Sequence, residues 1–450
     1  MQNNKYYWGL IIFFLLMTIS SLVIGSSTEE FWTAIKNEDY QKAAEVGKII
    51  GKTIPEYYYL AGICFQNISC YEEYAVYRNN YLQLGNPIKL REILLEQEIQ
   101  NPDSPQILLL KGIIAELYPE LGLGISKEFL EQAKSQLEAN PYVFNYLGFH
   151  EMNNSNYSEV ARKHIEQAII LKPDLPEAYN NLAVILNYNQ QPEKALNMLF
   201  ISLKKCPNNP VNIYYNIIGL KAFEVVLVIS PCDGGGGTYS ISTPGLDVAF
   251  RERLKQEFKD TPIHLLKLAE CFVKWNNPKE AEALLEGAHI DQNSILNKYI
   301  NFRIQNLYGN YDEMVVLAQE ILASKDLDYQ RLFECGNILF HMEEFDLANA
   351  FYEASLTNVN PDDFLYLLKI YSNLGASNYC LQDEETAILY FEKALNYNPS
   401  DLITLENLGL AYRNKGDKVK AREYFIKVLE YTDDSRTQER VNIYLEQLDD

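Results

Sequence analysis

Residues 176–209 read PEAYNNLAVILNYNQQPEKALNMLFISLKKCPNN, and residues 373–399 read NLGASNYCLQDEETAILYFEKALNYNP. Both fit one 34-residue template. In the first, Tyr179, Leu182, Ala183, Leu186, Ala195, Leu199, Ser202 and Pro207 occupy template positions 4, 7, 8, 11, 20, 24, 27 and 32. The second belongs to the unit 368–401, with Leu374, Gly375, Ala387, Phe391, Ala394 and Pro399 in the same register. Residues 402–435 follow without a gap and carry Leu408, Gly409, Tyr412, Gly416, Ala421 and Phe425. The spacing has a physical reason. Small residues at positions 8, 20 and 27 lie where the two helices of a unit and the next helix approach closely, and large residues at 4, 7, 11 and 24 fill the remaining space. Proline at 32 ends the second helix, because it lacks the amide donor and forces its predecessor out of the α region. One such unit cannot bury its apolar face alone, so stability comes from stacking neighbours.

These matches resemble the tetratricopeptide repeat. The resemblance implies an all-α fold in which tandem helix–turn–helix repeats stack as a right-handed α-solenoid. Weaker copies occur at 141–175 (Leu147, Gly148, Ala161, Ile165, Ala168, Pro173), at 262–294 (Leu265, Leu268, Ala269, Phe272, Ala281, Leu285, Ala288) and at 329–362 (Gly336, Ala348, Tyr352). Residues 295–328 diverge around Tyr308-Gly309-Asn310-Tyr311, and in 104–140 the stretch Pro119 to Gly124 lengthens the turn between helices. The expected organisation is a signal-anchor or transmembrane segment at 1–27, divergent helical repeats at 28–140, repeats at 141–209, an interrupted repeat at 210–261, repeats at 262–436 and a capping helix at 437–450. Val441, Tyr444, Leu445 and Leu448 give that last helix one apolar stripe and a polar outer face.

The interruption breaks the pattern at VVLVISPCDGGGGTYSISTPG, residues 225–245. A β-branched run, a Gly-rich turn and an alternating segment suit an inserted β-hairpin; four consecutive glycines suit equally a flexible loop. A phosphate-binding loop is excluded, because no Lys followed by Ser or Thr comes after the glycines.

The 450 residues carry 39 basic and 61 acidic side chains, a formal net charge of -22. That surface repels phosphate backbones, so nucleic-acid binding is excluded as the main activity and neutral or basic protein partners are favoured. Tyr6 to Gly25 is twenty residues without a charge, long enough as a helix to span roughly 30 Å of hydrocarbon. Lys5 precedes it and Glu29 and Glu30 follow, so the expected orientation places the body on the extracytoplasmic side. Small residues at Val23, Gly25 and Ser27 leave cleavage open as the alternative, which gives a secreted or periplasmic protein. Seven cysteines without a C-x-x-C pair support no structural zinc site. Cys64 and Cys70 are spaced for a local disulfide, whereas Cys206, Cys271 and Cys335 fall in helical patterns as small core residues.

No catalytic constellation is present. The five histidines lack ligand spacing, and His150-Glu151 fails to complete H-E-x-x-H because Asn154 stands at the second ligand position. The reading is therefore non-enzymatic, without cofactor or metal. Stacked helix pairs of this family make a groove lined by the first helix of each unit, suited to an extended peptide or a partner helix. Some family members hold a C-terminal carboxylate there with two Asn and three basic residues. Asn337 and Asn373 match the two Asn positions, but Phe333, Ile403 and Asn407 replace the basic ones. What remains is a neutral groove with Asn181, Asn337, Asn373 and Asn407 as candidate binding residues. The expected function is a membrane-anchored scaffold or adaptor, with an enzyme-complex accessory subunit contacting substrate through 225–245 as the alternative.

Overall fold

The computed structural model describes residues 27–67, 71–154, 158–206, 211–220, 246–324 and 326–449. Among these residues every regular element is helical. The expected anchor, apart from Ser27, and the expected hairpin or loop at 225–245 lie outside them. No helix of the described residues is long and apolar enough to cross a membrane. The chain divides into two units, Met1–Phe250 and Arg251–Asp450, the boundary falling inside the interrupted stretch.

The first unit runs α1 (27–36), α2 (Tyr40–Gly51), α3 (Glu56–Asn67), α4 (Tyr71–Leu84), α5 (Pro87–Gln100), α6 (Pro105–Leu117), α7 (Ser126–Lys134), α8 (Pro141–Asn154), α9 (Glu159–Leu171), α10 (Pro176–Tyr188), α11 (Pro192–Lys205) and α12 (Val211–Gly219), and α13 (Val248–Glu257) crosses the boundary. The second runs α14 (Ile263–Lys274), α15 (Pro278–Leu285), α16 (Ile295–Tyr308), α17 (Tyr311–Ser324), α18 (Tyr329–His341), α19 (Phe345–Asn358), α20 (Phe364–Cys380), α21 (Glu384–Leu395), α22 (Leu402–Asn414), α23 (Lys418–Tyr431) and α24 (Ser435–Asp449). Helices pair as α6/α7, α8/α9, α10/α11, α14/α15, α16/α17, α18/α19, α20/α21 and α22/α23.

In four units a glycine at template position 8 lets the two helices pack closely. A Cβ on Gly148, Gly336, Gly375 or Gly409 would stand 2.4, 2.6, 2.5 or 2.5 Å from Ile165, Tyr352, Phe391 or Phe425, each at position 24 of the same unit. The alanines facing these contacts, among them Ala161, Ala195, Ala348, Ala387 and Ala421, are fully buried.

A shared turn joins the two helices of most units. One residue in the left-handed region stops the first helix: Glu38, Gln190, Asn276, Glu343 and Gln382 do so as non-glycines, and Gly309 and Gly416 as glycines. An Asp or Asn then often starts the second helix. Asp39, Asn277, Asp383 and Asp417 each accept from the amide three residues on.

The proline rule holds in one place and not another. Lys172, directly before Pro173, leaves the α region as expected. α21 stops at Leu395, before Pro399 acts, and its cap Asn396 is still α-helical. The lengthened turn in 104–140 is a short 3-10 helix, Pro119–Leu121, closed by left-handed Gly122. α24 caps the second unit by covering Phe425 and Val428 with Val441, Tyr444, Leu445 and Leu448. Cys64 is a buried free thiol, Cys206, Cys271 and Cys335 are buried, and Cys380 is exposed.

In the first unit the turn between α1 and α2 folds back on later helices. Glu38 accepts from Gln106 at 3.4 Å and from Asn140 at 3.3 Å, and Tyr40 meets Tyr142 edge-on. α3, α6, α8 and α10 are consequently buried over most of their circumference. Lys111 is among the sealed residues; it pairs with Glu98 at 2.7 Å and lies over the Phe129 ring.

Candidate functional site

The first helices of the second unit are tied to one another by side chains about one repeat apart. At its start this ladder is closed by charge. Arg331 donates from Nε and Nη2 to the two oxygens of Glu270 at 3.0 and 2.7 Å, reaching past the intervening unit. Burial alone raises the Glu270 carboxyl, but the hydrogen bonds and charge of Arg331, aided by Lys274, hold it below the ordinary glutamate range. Beside it, Arg303 bridges Tyr299 and Glu334 at 2.9 and 2.7 Å, and the Tyr299 hydroxyl donates to Glu334. Tyr329 donates to Asp363 at 2.7 Å, a carboxyl that burial pushes above its usual range. Apart from Arg303 Nε, which is buried without a partner among the described residues, these groups satisfy one another.

The face opens from α18 to α22. Asn373 Nδ2 donates to Asn337 Oδ1 at 2.7 Å, and that same oxygen accepts from the Tyr352 hydroxyl at 3.0 Å. Tyr352 comes from the second helix of its own unit and is fully buried, so it fixes the Asn337 amide from below. Asn337 Nδ2 and Asn373 Oδ1 therefore have no partner among the described residues, although both side chains are only half-buried. One donor and one acceptor on neighbouring side chains match the C=O and N–H of a single residue in an extended chain, which point to the same side.

The surroundings are apolar and aromatic. Phe333 packs against Tyr352 and Tyr366, each with ring centroids 5.6 Å away, and Lys369 Nζ lies 5.1 Å over Tyr366. Ile403, on α22, is 69% exposed, with Leu410 half-buried two turns on. Asn407 is half-buried and makes no side-chain hydrogen bond among the described residues.

The four candidate asparagines thus divide. Asn337 and Asn373 touch, Asn407 stands one unit further along the same face, and Asn181 belongs to the other unit. Asn181 is 1% exposed and donates to Asn145 at 3.3 Å, so it sits inside a buried pairing rather than on an open surface. Asn216 and Asn180 repeat that pairing at 2.7 Å. Sequence reading missed Tyr352 as a site residue, since position 24 is a core position, and missed the Glu270 to Arg331 bridge, since no periodic signal marks a contact that skips a unit. Among the described residues no group of three or more His, Cys, Asp or Glu side chains is placed to hold a metal ion.

The tetratricopeptide repeat pattern matches residues 368–401 and 404–435. The chain thus carries tetratricopeptide repeats, and those two are adjacent. A stretch of 125 residues is 28% identical to the uncharacterized protein ycf37 of Guillardia theta, covering 28% of this chain and 70% of that protein. A stretch of 112 residues is 31% identical to the tetratricopeptide repeat domain-containing protein PYG7, chloroplastic, of Arabidopsis thaliana, covering 25% of this chain and 36% of that protein. Among solved structures, YrrB, a tetratricopeptide repeat protein with an unusual peptide-binding site, is 17% identical with a TM-score of 0.36 over 43% of this chain and 97% of its own.

Proposed function

We propose that this protein is a membrane-anchored adaptor, without catalysis of its own, whose second unit holds an extended polypeptide along the face from Asn337 to Asn407. The observation that carries the reading is the Asn337–Asn373 pair, fixed by Tyr352 and leaving one amide donor and one amide acceptor for the backbone C=O and N–H of one extended residue. The three basic residues of a carboxylate clamp are missing, so the partner is an internal segment rather than a chain terminus. Ile403 and Leu410 supply apolar contact for its side chains, and the 35 acidic against 21 basic residues of 251–450 favour a neutral or basic partner.

The anchor is the uncharged run Tyr6 to Gly25, with the body extracytoplasmic; cleavage after Gly25 makes the same body a secreted or periplasmic adaptor. Intact-mass measurement decides this, since a chain beginning at Ser26 contradicts retention. For the groove, a photo-crosslinking residue is placed at Ile403, Asn407 or Val419 of the full chain in native membranes. Val419 is 81% exposed on α23, away from the Asn pair. Polypeptide adducts from positions 403 and 407 but not 419 support the reading, and equal adducts from all three contradict it.

A further inference from the structure

The uncharged run ends at Gly25 and α1 begins at residue 27. At most about 7 Å of extended chain separates them. The part of the first unit next to Ser27 can be located from its contacts. Phe31 lies against Gly47, which sets α1 antiparallel to α2, and Gly51 lies against Tyr58, so the start of α1, the end of α2 and the start of α3 share one edge. The turn between α4 and α5 joins that edge, because the Asn86 amide donates to Glu56 Oε1 at 2.9 Å and Lys89 lies 3.6 Å from the same carboxylate. The end of α6 joins it too, since the Tyr59 ring meets both Tyr81 and Tyr118.

Ile49, Leu82, Leu84, Ile88 and Ile125 all stand on this edge and are between 43% and 68% exposed. Single exposed aliphatic residues are ordinary. Five at the helix ends nearest the point where the chain comes in are more than scattered single positions. The opposite edge, marked by Glu38 with Gln106 and Asn140, carries Ile99 and Ile170.

We propose that this edge of the first unit rests on the bilayer, its five aliphatic side chains in the interface between headgroups and acyl chains. The occupant follows from the tether: a membrane-embedded run ending two residues before α1 holds this edge, and no other, at the surface, where even weak apolar contacts act at high effective concentration. The proposal rests on the anchored reading.

The test uses the full chain in vesicles of phosphatidylcholine and phosphatidylglycerol. Benzoylphenylalanine replaces one residue at a time: Leu84, Ile88 or Ile125 on the edge, Ile99 or Ile170 opposite, and Leu10 in the uncharged run. After irradiation, mass spectrometry reads lipid adducts, and circular dichroism confirms that each variant is folded. Adducts at 84, 88, 125 and 10 but not at 99 or 170 are expected. Adducts at 10 alone overturn the proposal while leaving the anchor intact. No adduct at 10 removes the anchor and the proposal together. In native membranes, adducts of 84 and 88 with a protein in place of lipid also overturn it.

Discussion

Glu270 on α14 and Arg331 on α18 are joined by two parallel hydrogen bonds across 61 residues of chain, bypassing the first helix of the unit between them. The glutamate side chain is 8% exposed and the arginine 27%. Arg331→Met leaves Lys274, 3.3 Å away, as the remaining cation beside Glu270. The variant is expected to lower unfolding free energy by about 1–3 kcal/mol, below the cost of a buried charge left without any partner. The pH dependence has a definite sign. The folded Glu270 carboxyl titrates below its unfolded value, so its contribution is complete above the ordinary glutamate range and is lost as pH falls through the folded value. Urea unfolding of Glu270→Gln should show a flatter acid limb than the parent, and an unchanged limb contradicts the pairing.

His264 titrates in a different window. Burial beside Phe258, with Lys267 as a smaller contributor, pushes its imidazole down to about 4 from 6.5. Between those values the unfolded chain binds a proton that the folded chain refuses, so stability falls as pH drops from 6.5 towards 4. Solvent screening at this half-buried site limits the loss to about 1–2 kcal/mol. His264→Asn should remove most of the difference between unfolding curves at the two ends of that window.

Gly409 lies against Phe425, and an added Cβ would meet its ring at 2.5 Å. Gly409→Ala is expected to cost about 1–3 kcal/mol through overpacking. Phe425→Leu in the same chain should return part of that loss, because the two sites share one contact. Thermal unfolding of both single variants and the double variant measures the coupling, and strict additivity argues against the contact.

The left-handed turn residues give an opposite pair of effects. Gln382 and Glu343 adopt φ values of 64° and 63° where Gly416 serves the same turn at 86°. Gln382→Gly should stabilise by a few tenths to about 1 kcal/mol, the relieved strain exceeding the extra flexibility of the unfolded glycine. Gly416→Gln should cost about 1 kcal/mol. Unfolding midpoints moving in the same direction for both variants contradict this view of the turn.

Most of the second unit was legible because its determinants are local. Gly375 and Phe391 are sixteen residues apart, and Gly409 and Phe425 repeat that interval. The aromatic ring needs the missing Cβ, so the two are legible as one motif. α5 was not legible as a helix without a partner of its own unit, since its apolar residues follow no template register. The closure of the first unit was hidden for another reason: Glu38 and Asn140 meet across 102 residues. Asn181 shares template position 6 with Asn373, yet one is sealed and the other half-open. Burial there is decided by neighbouring helices, which a single unit's sequence does not encode.

The central claim is that the Asn337–Asn373 pair binds a peptide backbone. The most direct measurement is calorimetric titration of the parent chain and of Asn337→Ala and Asn373→Ala with the partner segment crosslinked at Asn407. Loss of one backbone hydrogen bond predicts about tenfold weaker binding for each variant, with Val419→Ala indistinguishable from the parent. Equal affinity for the parent and both asparagine variants, all of them folded, contradicts the account.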